Sequence, residues 1–239
     1  MSVVLLHGFT QTGASWAPLL PHLATTSWIA PDLPGHGSAG QVRTDLAATA
    51  DQLVDEFANP ILVGYSMGGR LALHAAIRQP ARVRGLVLIG ATPGIADVDE
   101  REARRRSDAQ LADHVEDIGV EAFLSEWLAQ PLFATLPAAS RTLVDRRTNT
   151  ADGLAWSLRT WSTGAQQSLW ESLSLITCPV LLVTGSLDTK FTEIARRMQH
   201  AIGRNCRHVV IDGAGHSAHL EQPAEVTRVI NEFVRLIDG

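Results

Sequence analysis

The feature that most constrains this chain is a recurring alternation. Short apolar runs, each long enough for one buried strand, are separated by stretches with helical periodicity. Val3 to Leu6, Ile61 to Val63, Leu86 to Ile89, Val180 to Val183 and His208 to Ile211 read as strands, with Ser27 to Ala30 a weaker one ending at Pro31. Helical patterns cover Ala14 to Leu23, Thr44 to Phe57, Gly69 to Arg78, Glu193 to Ala201 and Ala224 to Ile237. Such alternation predicts an α/β fold, with a mostly parallel central sheet flanked by helices on both faces. It breaks between Ile89 and Val180. From about Gly94 to Ser174 there is no strand pattern; the segment is charged from Asp97 to Asp108 and then carries Trp127, Trp156, Trp161 and Trp170. A helical cap is expected there, over the C-terminal edge of the sheet, where open α/β sheets bind ligands. The expected division is a core in two parts, 1–93 and 175–239, with the cap at 94–174 between them.

Composition removes several function classes. With 239 residues, 45% of them hydrophobic, the chain can fill a core and is not disordered. Two cysteines, Cys178 and Cys206, cannot make a disulfide scaffold; flanking strands, they read as small buried hydrophobes. No apolar run approaches the roughly 18 residues of a membrane span, so no membrane partner is expected. The start runs directly into Val3-Val4-Leu5-Leu6 without a basic segment, which predicts a cytoplasmic protein. A net charge of -5 and one short arginine run without interleaved aromatics argue against nucleic acid. Of 20 basic residues only Lys190 is lysine. Coding bias and a demand for bidentate anion recognition both account for that, and composition does not separate them.

The chemistry concentrates at strand ends. Gly64-Tyr65-Ser66-Met67-Gly68-Gly69 follows one strand and opens a helix. A G-x-S-x-G turn in that context lifts a serine hydroxyl to the top of the sheet, and its glycines allow a strained, close-packed backbone. A serine hydroxyl needs a histidine to act. His216 lies in Gly213-Ala214-Gly215-His216 after the last strand, and Asp188 in Gly185-Ser186-Leu187-Asp188 after the preceding one. Ser66, Asp188 and His216 thus meet at one sheet edge, in the chain order of the α/β-hydrolase triad. In this fold the His7-Gly8-Phe9 loop supplies one oxyanion-hole amide, from Phe9, and Met67 the other. His7, His36 and His219 read as structural. No histidine–carboxylate set has zinc spacing and no glycine-rich nucleotide loop occurs, so neither metal nor nucleotide is expected.

These residues resemble the α/β-hydrolase superfamily. The chain as a whole resembles the synthases of menaquinone biosynthesis that eliminate pyruvate to make 2-succinyl-6-hydroxy-2,4-cyclohexadiene-1-carboxylate. The similarity runs through Leu62 to Arg70, Pro93-Gly94, Glu102-Ala103-Arg104 with Asp108, Phe123 to Trp127, Gln130-Pro131-Leu132-Phe133, and Arg147 and Asn149 ahead of Gly153 to Arg159. It continues through Asp188 to Phe191 and Gly215 to Glu221. The resemblance implies an α/β-hydrolase fold, a polycarboxylate small-molecule substrate and no cofactor. It implies substrate contacts from Tyr65, Arg70, Arg104, Trp127 and Arg147. Arg70, four residues after Ser66, shares its helix face. Arg104 belongs equally to a charged face with Arg101, Arg105 and Arg106 that solvent could wet. Trp156, Trp161 and Trp170 read as cap packing, and Lys190 as structural. Members of that family often carry additional strands before the His-Gly loop; here the first strand is the loop's own, so the sheet is expected to be shorter at the edge far from Ser66.

Two other classes fit parts of the pattern. With Ser66 as nucleophile, the same triad serves a carboxylesterase or a hydrolase of carbon–carbon bonds. A non-catalytic receptor on this fold would bind a small ligand without turnover. The three arginines favour a polyanionic substrate over a neutral ester, and the complete triad favours an enzyme.

Overall fold

The protein, seen in a computed structural model, is described for residues 2–24, 27–138, 140 and 146–238. Six strands form one sheet: β1 (Val3–Leu6), β2 (Trp28–Ile29), β3 (Ile61–Tyr65), β4 (Gly85–Ile89), β5 (Val180–Gly185) and β6 (Cys206–Ile211). The order is β2-β1-β3-β4-β5-β6 and every pair is parallel. Side chains alternate between two cores, as the two-residue period of a strand requires. Val4, Leu6, Leu62, Leu86 and Leu182 pack on one face with α1 (Leu46–Glu56), α2 (Met67–Arg78) and, beyond β4, the later helix at Thr189–Ile202. Val3, Leu5, Val63, Ile89 and Val183 pack on the other with Trp16 and the C-terminal helix at Pro223–Asp238. Covering on both faces is why β1, β3, β4 and β5 are wholly buried and read as continuous apolar runs. The sheet ends beyond β1 in only the two-residue β2.

One expected helix is absent. Ala14 to Leu23 forms two short 3₁₀ turns, Gly13–Trp16 and Leu20–His22. The apolar spacing is helical, but Pro18 and Pro21 each remove a backbone donor and crowd the preceding turn, so no α-helix propagates.

Between β4 and β5 the chain leaves the core, and no described residue there is in a strand. α3 (Val98–Ala129) starts at Asp97, whose carboxylate accepts the Glu100 N–H, and is kinked at Gly119, where φ is 77°. α4 (Ala151–Thr160) packs against it through Ala112, Val115, Phe123, Leu154 and Leu158. The two ends of this excursion are tied together: the Leu169 N–H donates to Pro93 O at 2.8 Å and Trp170 Nε1 to Gly94 O at 3.1 Å. After this neck Leu169, Leu173 and Ile176 rejoin the main core. After the neck come the helices α5 (Thr189–Ile202), α6 (Ala218–Glu221) and α7 (Pro223–Asp238).

Candidate active site

Ser66 sits between β3 and α2 with φ 49° and ψ -103°, outside the regions an L-residue favours. Backbone bonds hold it there: its N–H donates to Ile89 O at 2.9 Å and its carbonyl accepts the Arg70 N–H at 3.1 Å. The turn is possible because strand and helix nearly touch. A Cβ on Gly64 would lie 2.5 Å from Gly68 O, and one on Gly68 would lie 2.1 Å from Leu6 O. Both obstacles are backbone, which cannot swing aside. Gly68→Ala is therefore expected to lower stability by about 2–3 kcal/mol, measured as a drop in urea midpoint at unchanged m-value. A variant as stable as the parent would show that the elbow can open.

Asp188 does two jobs with its two oxygens. Oδ1 caps α5 by accepting the Phe191 N–H at 3.2 Å, and Oδ2 accepts from His216 Nδ1 at 2.8 Å. An acceptor on Nδ1 places the imidazole proton there and leaves Nε2 bare. That nitrogen faces Ser66 Oγ at 3.4 Å, a loose contact of the kind that tightens on substrate binding. The pair is nearly dry, with side-chain exposures of 2% for His216 and 7% for Asp188. The His216 ring leans on Phe191, 4.4 Å between centroids, and on Tyr65 at 5.4 Å. Its loop is held from below by Glu221, whose carboxylate accepts the Gly215 N–H at 2.7 Å and the Ser217 N–H at 3.0 Å. In the sequence Glu221 stands out only as the end of the Gly215 to Glu221 segment, because a side chain that works through backbone N–H groups is not marked by side-chain patterning.

The elbow opens into a pocket of about 580 Å³ roofed by the excursion. Phe9, Met67, Tyr65, Arg70, Arg104 and Trp127 all line it beside Ser66 and His216. Among the described residues, neither the Phe9 nor the Met67 N–H meets a protein acceptor. Arg70 is 7% exposed and donates to Gln166 Oε1 at 2.9 Å and to Trp161 O at 2.7 Å, both neutral acceptors. Burial pulls its guanidinium down to about 10, with Arg104 pushing the same way and Asp108 opposing. It stays charged at neutral pH, with no carboxylate bonded to it among the described residues. Arg104 donates to Asp108 at 2.8 Å and keeps 45% of its side chain exposed. The Tyr65 phenol shares a hydrogen bond with Ser217 Oγ at 2.8 Å, and burial pushes its pKa up. Trp127 stacks among Phe9, Phe123 and Phe133, its indole N–H without a partner among the described residues.

Arg147 requires a correction. It does not line the pocket; its guanidinium lies 3.6 Å from Glu121, with exposures of 78% and 85%. The reason is the 3₁₀ turn Arg146–Thr148, in which neighbouring residues point about a third of a turn apart. Arg146 takes the inward direction, 3% exposed and bonded to Thr10 Oγ1. Arg159 points outward and pairs with Asp113 and Glu116. Trp161 and Trp170, read as packing, also border the pocket, as does Lys190, whose ammonium lies 6.0 Å from the Phe191 ring. The structural histidines are neutral for a physical reason. Burial lowers His7 to about 4 and His36 to about 3, and each ring accepts one backbone N–H, from Leu33 and Thr10. Burial likewise lowers His219 to about 3; it lies between Trp16 and Tyr65, with neither nitrogen bonded among the described residues.

The alpha/beta hydrolase family matches residues 3–229. A 2-succinyl-6-hydroxy-2,4-cyclohexadiene-1-carboxylate synthase of Salmonella typhimurium is 32% identical, over 98% of this chain and 94% of its own length. A Bacillus subtilis protein given the same name provisionally is 37% identical, over 99% of this chain and 91% of its own. The solved structure of MenH from S. aureus superposes with a TM-score of 0.92 at 29% identity, covering 100% of this chain and 95% of that one. The chain belongs to the alpha/beta hydrolase family and, within it, to the family of the 2-succinyl-6-hydroxy-2,4-cyclohexadiene-1-carboxylate synthases.

Proposed function

We propose that the protein is a carbon–oxygen lyase that eliminates pyruvate from 2-succinyl-5-enolpyruvyl-6-hydroxy-3-cyclohexene-1-carboxylate, giving 2-succinyl-6-hydroxy-2,4-cyclohexadiene-1-carboxylate. The observation that carries this reading is Arg70. A buried guanidinium with no carboxylate partner among the described residues, lining the same pocket as the candidate base, suits a substrate that brings its own carboxylates. Family membership supplies the particular substrate. Residues 94–174 act as the cap over a core of 1–93 and 175–239, and Arg104, Tyr65 and Trp127 complete the substrate contacts. Among the described residues no helix is long and apolar enough to cross a membrane.

The mechanism follows from the hydrogen-bond chain. His216, held by Asp188 in the tautomer with a bare Nε2, takes the Ser66 proton. Ser66 Oγ then removes the ring proton beside the succinyl carbonyl. Negative charge builds on the carbonyl oxygen and is met by the Phe9 and Met67 N–H groups. The electrons return through the ring and break the carbon–oxygen bond to the enolpyruvyl group, which departs, takes a proton and tautomerises to pyruvate. No bond forms between Ser66 and substrate.

The test is to supply the enolpyruvyl compound and follow pyruvate, with p-nitrophenyl esters in parallel. Pyruvate release with little ester turnover is expected. Brisk ester turnover without pyruvate would make the protein an esterase, and binding without either would make it a receptor. Arg70→Met should raise KM by about 10–100-fold, the loss of one or two charge-assisted hydrogen bonds, with a smaller effect on kcat. An unchanged KM would remove Arg70 from substrate recognition.

A further inference from the structure

Thr10 is the most strained residue near the pocket apart from Ser66. Its φ is 66°, a region that a β-branched residue scarcely enters. It is the third residue of the turn Gly8–Phe9–Thr10–Gln11, closed by the Gln11 N–H on Gly8 O at 3.1 Å. A positive φ at that position is ordinarily given to glycine or asparagine. Strain of this kind persists only where the surroundings over-determine it. Every polar group of Thr10, itself fully buried, is spoken for. Its N–H donates to His36 Nε2 at 3.3 Å, its carbonyl accepts from Asn149 Nδ2 at 2.8 Å and its hydroxyl accepts from Arg146. The last two come from the excursion between β4 and β5. Asn149, 5% exposed, also accepts the Gly37 N–H at 2.9 Å and donates to Arg146 O at 2.9 Å.

We infer that Asn149 and Arg146 are positioning residues that clamp Thr10 in its left-handed conformation and thereby fix the Phe9 amide for the developing oxyanion. Released from the clamp, Thr10 relaxes to negative φ. That turns over the Phe9–Thr10 peptide, breaks the bond to His36 and loosens the Gly8–Gln11 turn, which is what holds the preceding Gly8–Phe9 peptide and its N–H in place. The cap then does more than contact substrate: it holds part of the catalytic loop in shape. This inference rests on the reading of Phe9 as an oxyanion donor, so its test does not rely on the synthase substrate.

A fluorophosphonate supplies that test. Ser66 Oγ bonds to phosphorus, fluoride leaves, the hydroxyl proton passes to His216, and the phosphoryl oxygen occupies the oxyanion position. Asn149→Asp keeps the side chain's size and the bond from Gly37 but turns the donor to Thr10 into an acceptor. It should slow labelling of Ser66 at least tenfold and lower kcat for pyruvate release in proportion, with KM within twofold. Adding Thr10→Asn, which tolerates positive φ and keeps an oxygen for Arg146, should restore at least threefold of the labelling rate. A loss through general unfolding would not be restored in that way, and circular dichroism of both variants reads the fold directly. Labelling of Asn149→Asp at the parent rate, or a loss that Thr10→Asn leaves untouched, would overturn the clamp. Labelling reports on the loop whichever substrate is turned over, so a parent protein that is labelled yet releases no pyruvate would fail the synthase reading alone.

Discussion

Ser66→Ala is expected to slow pyruvate release by about 10³-fold, within the range general-base groups contribute, while KM moves by no more than a few fold. At 1.36 kcal/mol per decade this is about 4 kcal/mol of transition-state stabilisation. The loss is large because Ser66 Oγ is the group that touches the reacting C–H, and His216 Nε2, 3.4 Å behind it, does not reach that far. Binding survives because the arginines are untouched. Mass spectrometry of the parent during turnover should show no acyl-enzyme, since the serine acts as a base. Full pyruvate release by the alanine variant would end the base mechanism even if the overall reaction stood, and a trapped serine adduct would return Ser66 to the role of nucleophile.

The second large effect is on stability in acid. His7, His36 and His219 are buried and neutral, with pKa values lowered to about 4, 3 and 3. In the unfolded chain each returns to about 6.5. The unfolded state therefore binds more protons as pH falls through that value. The stabilisation is complete above about pH 6.5 and is lost progressively toward the folded values. Each histidine contributes a slope of up to about 1.4 kcal/mol per pH unit, so the three together approach about 4. His74 and His208, less buried, are lowered in the same direction. Against a typical stability of about 5–15 kcal/mol, the protein should unfold cooperatively near pH 5 with uptake of more than one proton. His219→Phe, which keeps a ring between Trp16 and Tyr65 and removes two unbonded nitrogens, should flatten the slope of urea midpoint against pH. An unaltered slope would mean that His219 is not a source of the acid sensitivity.

The sheet is legible in the chain because its inner strands are buried on both faces, so each stands out as an unbroken apolar run. The triad is legible for a related reason: in a parallel sheet the loops after successive strands share one edge, so residues far apart in the chain meet there. Local backbone chemistry is harder to read. Ala14 to Leu23 has helical spacing, but Pro18 and Pro21 override it. Arg146 and Arg147 are chemically identical neighbours, and only the phase of a three-residue turn decides which faces inward. Asn149 and Glu221 act through backbone amides and carbonyls, which leave no trace in side-chain patterning. Trp161 and Trp170 pack and border the pocket at once, and composition does not distinguish the two roles.

The neck between Pro93 and Leu169 has an evolutionary reading. Because entry and exit of the excursion are one hydrogen bond apart, everything between them is a closed detour from the standpoint of the sheet. Its length and sequence can diverge without re-threading a strand or moving the elbow. Substrate preference can drift through such a detour, but the contacts from Asn149 and Arg146 to Thr10 set a limit. A transplanted detour must bring its own anchor for that turn, or the host must replace Thr10 with a residue that needs none.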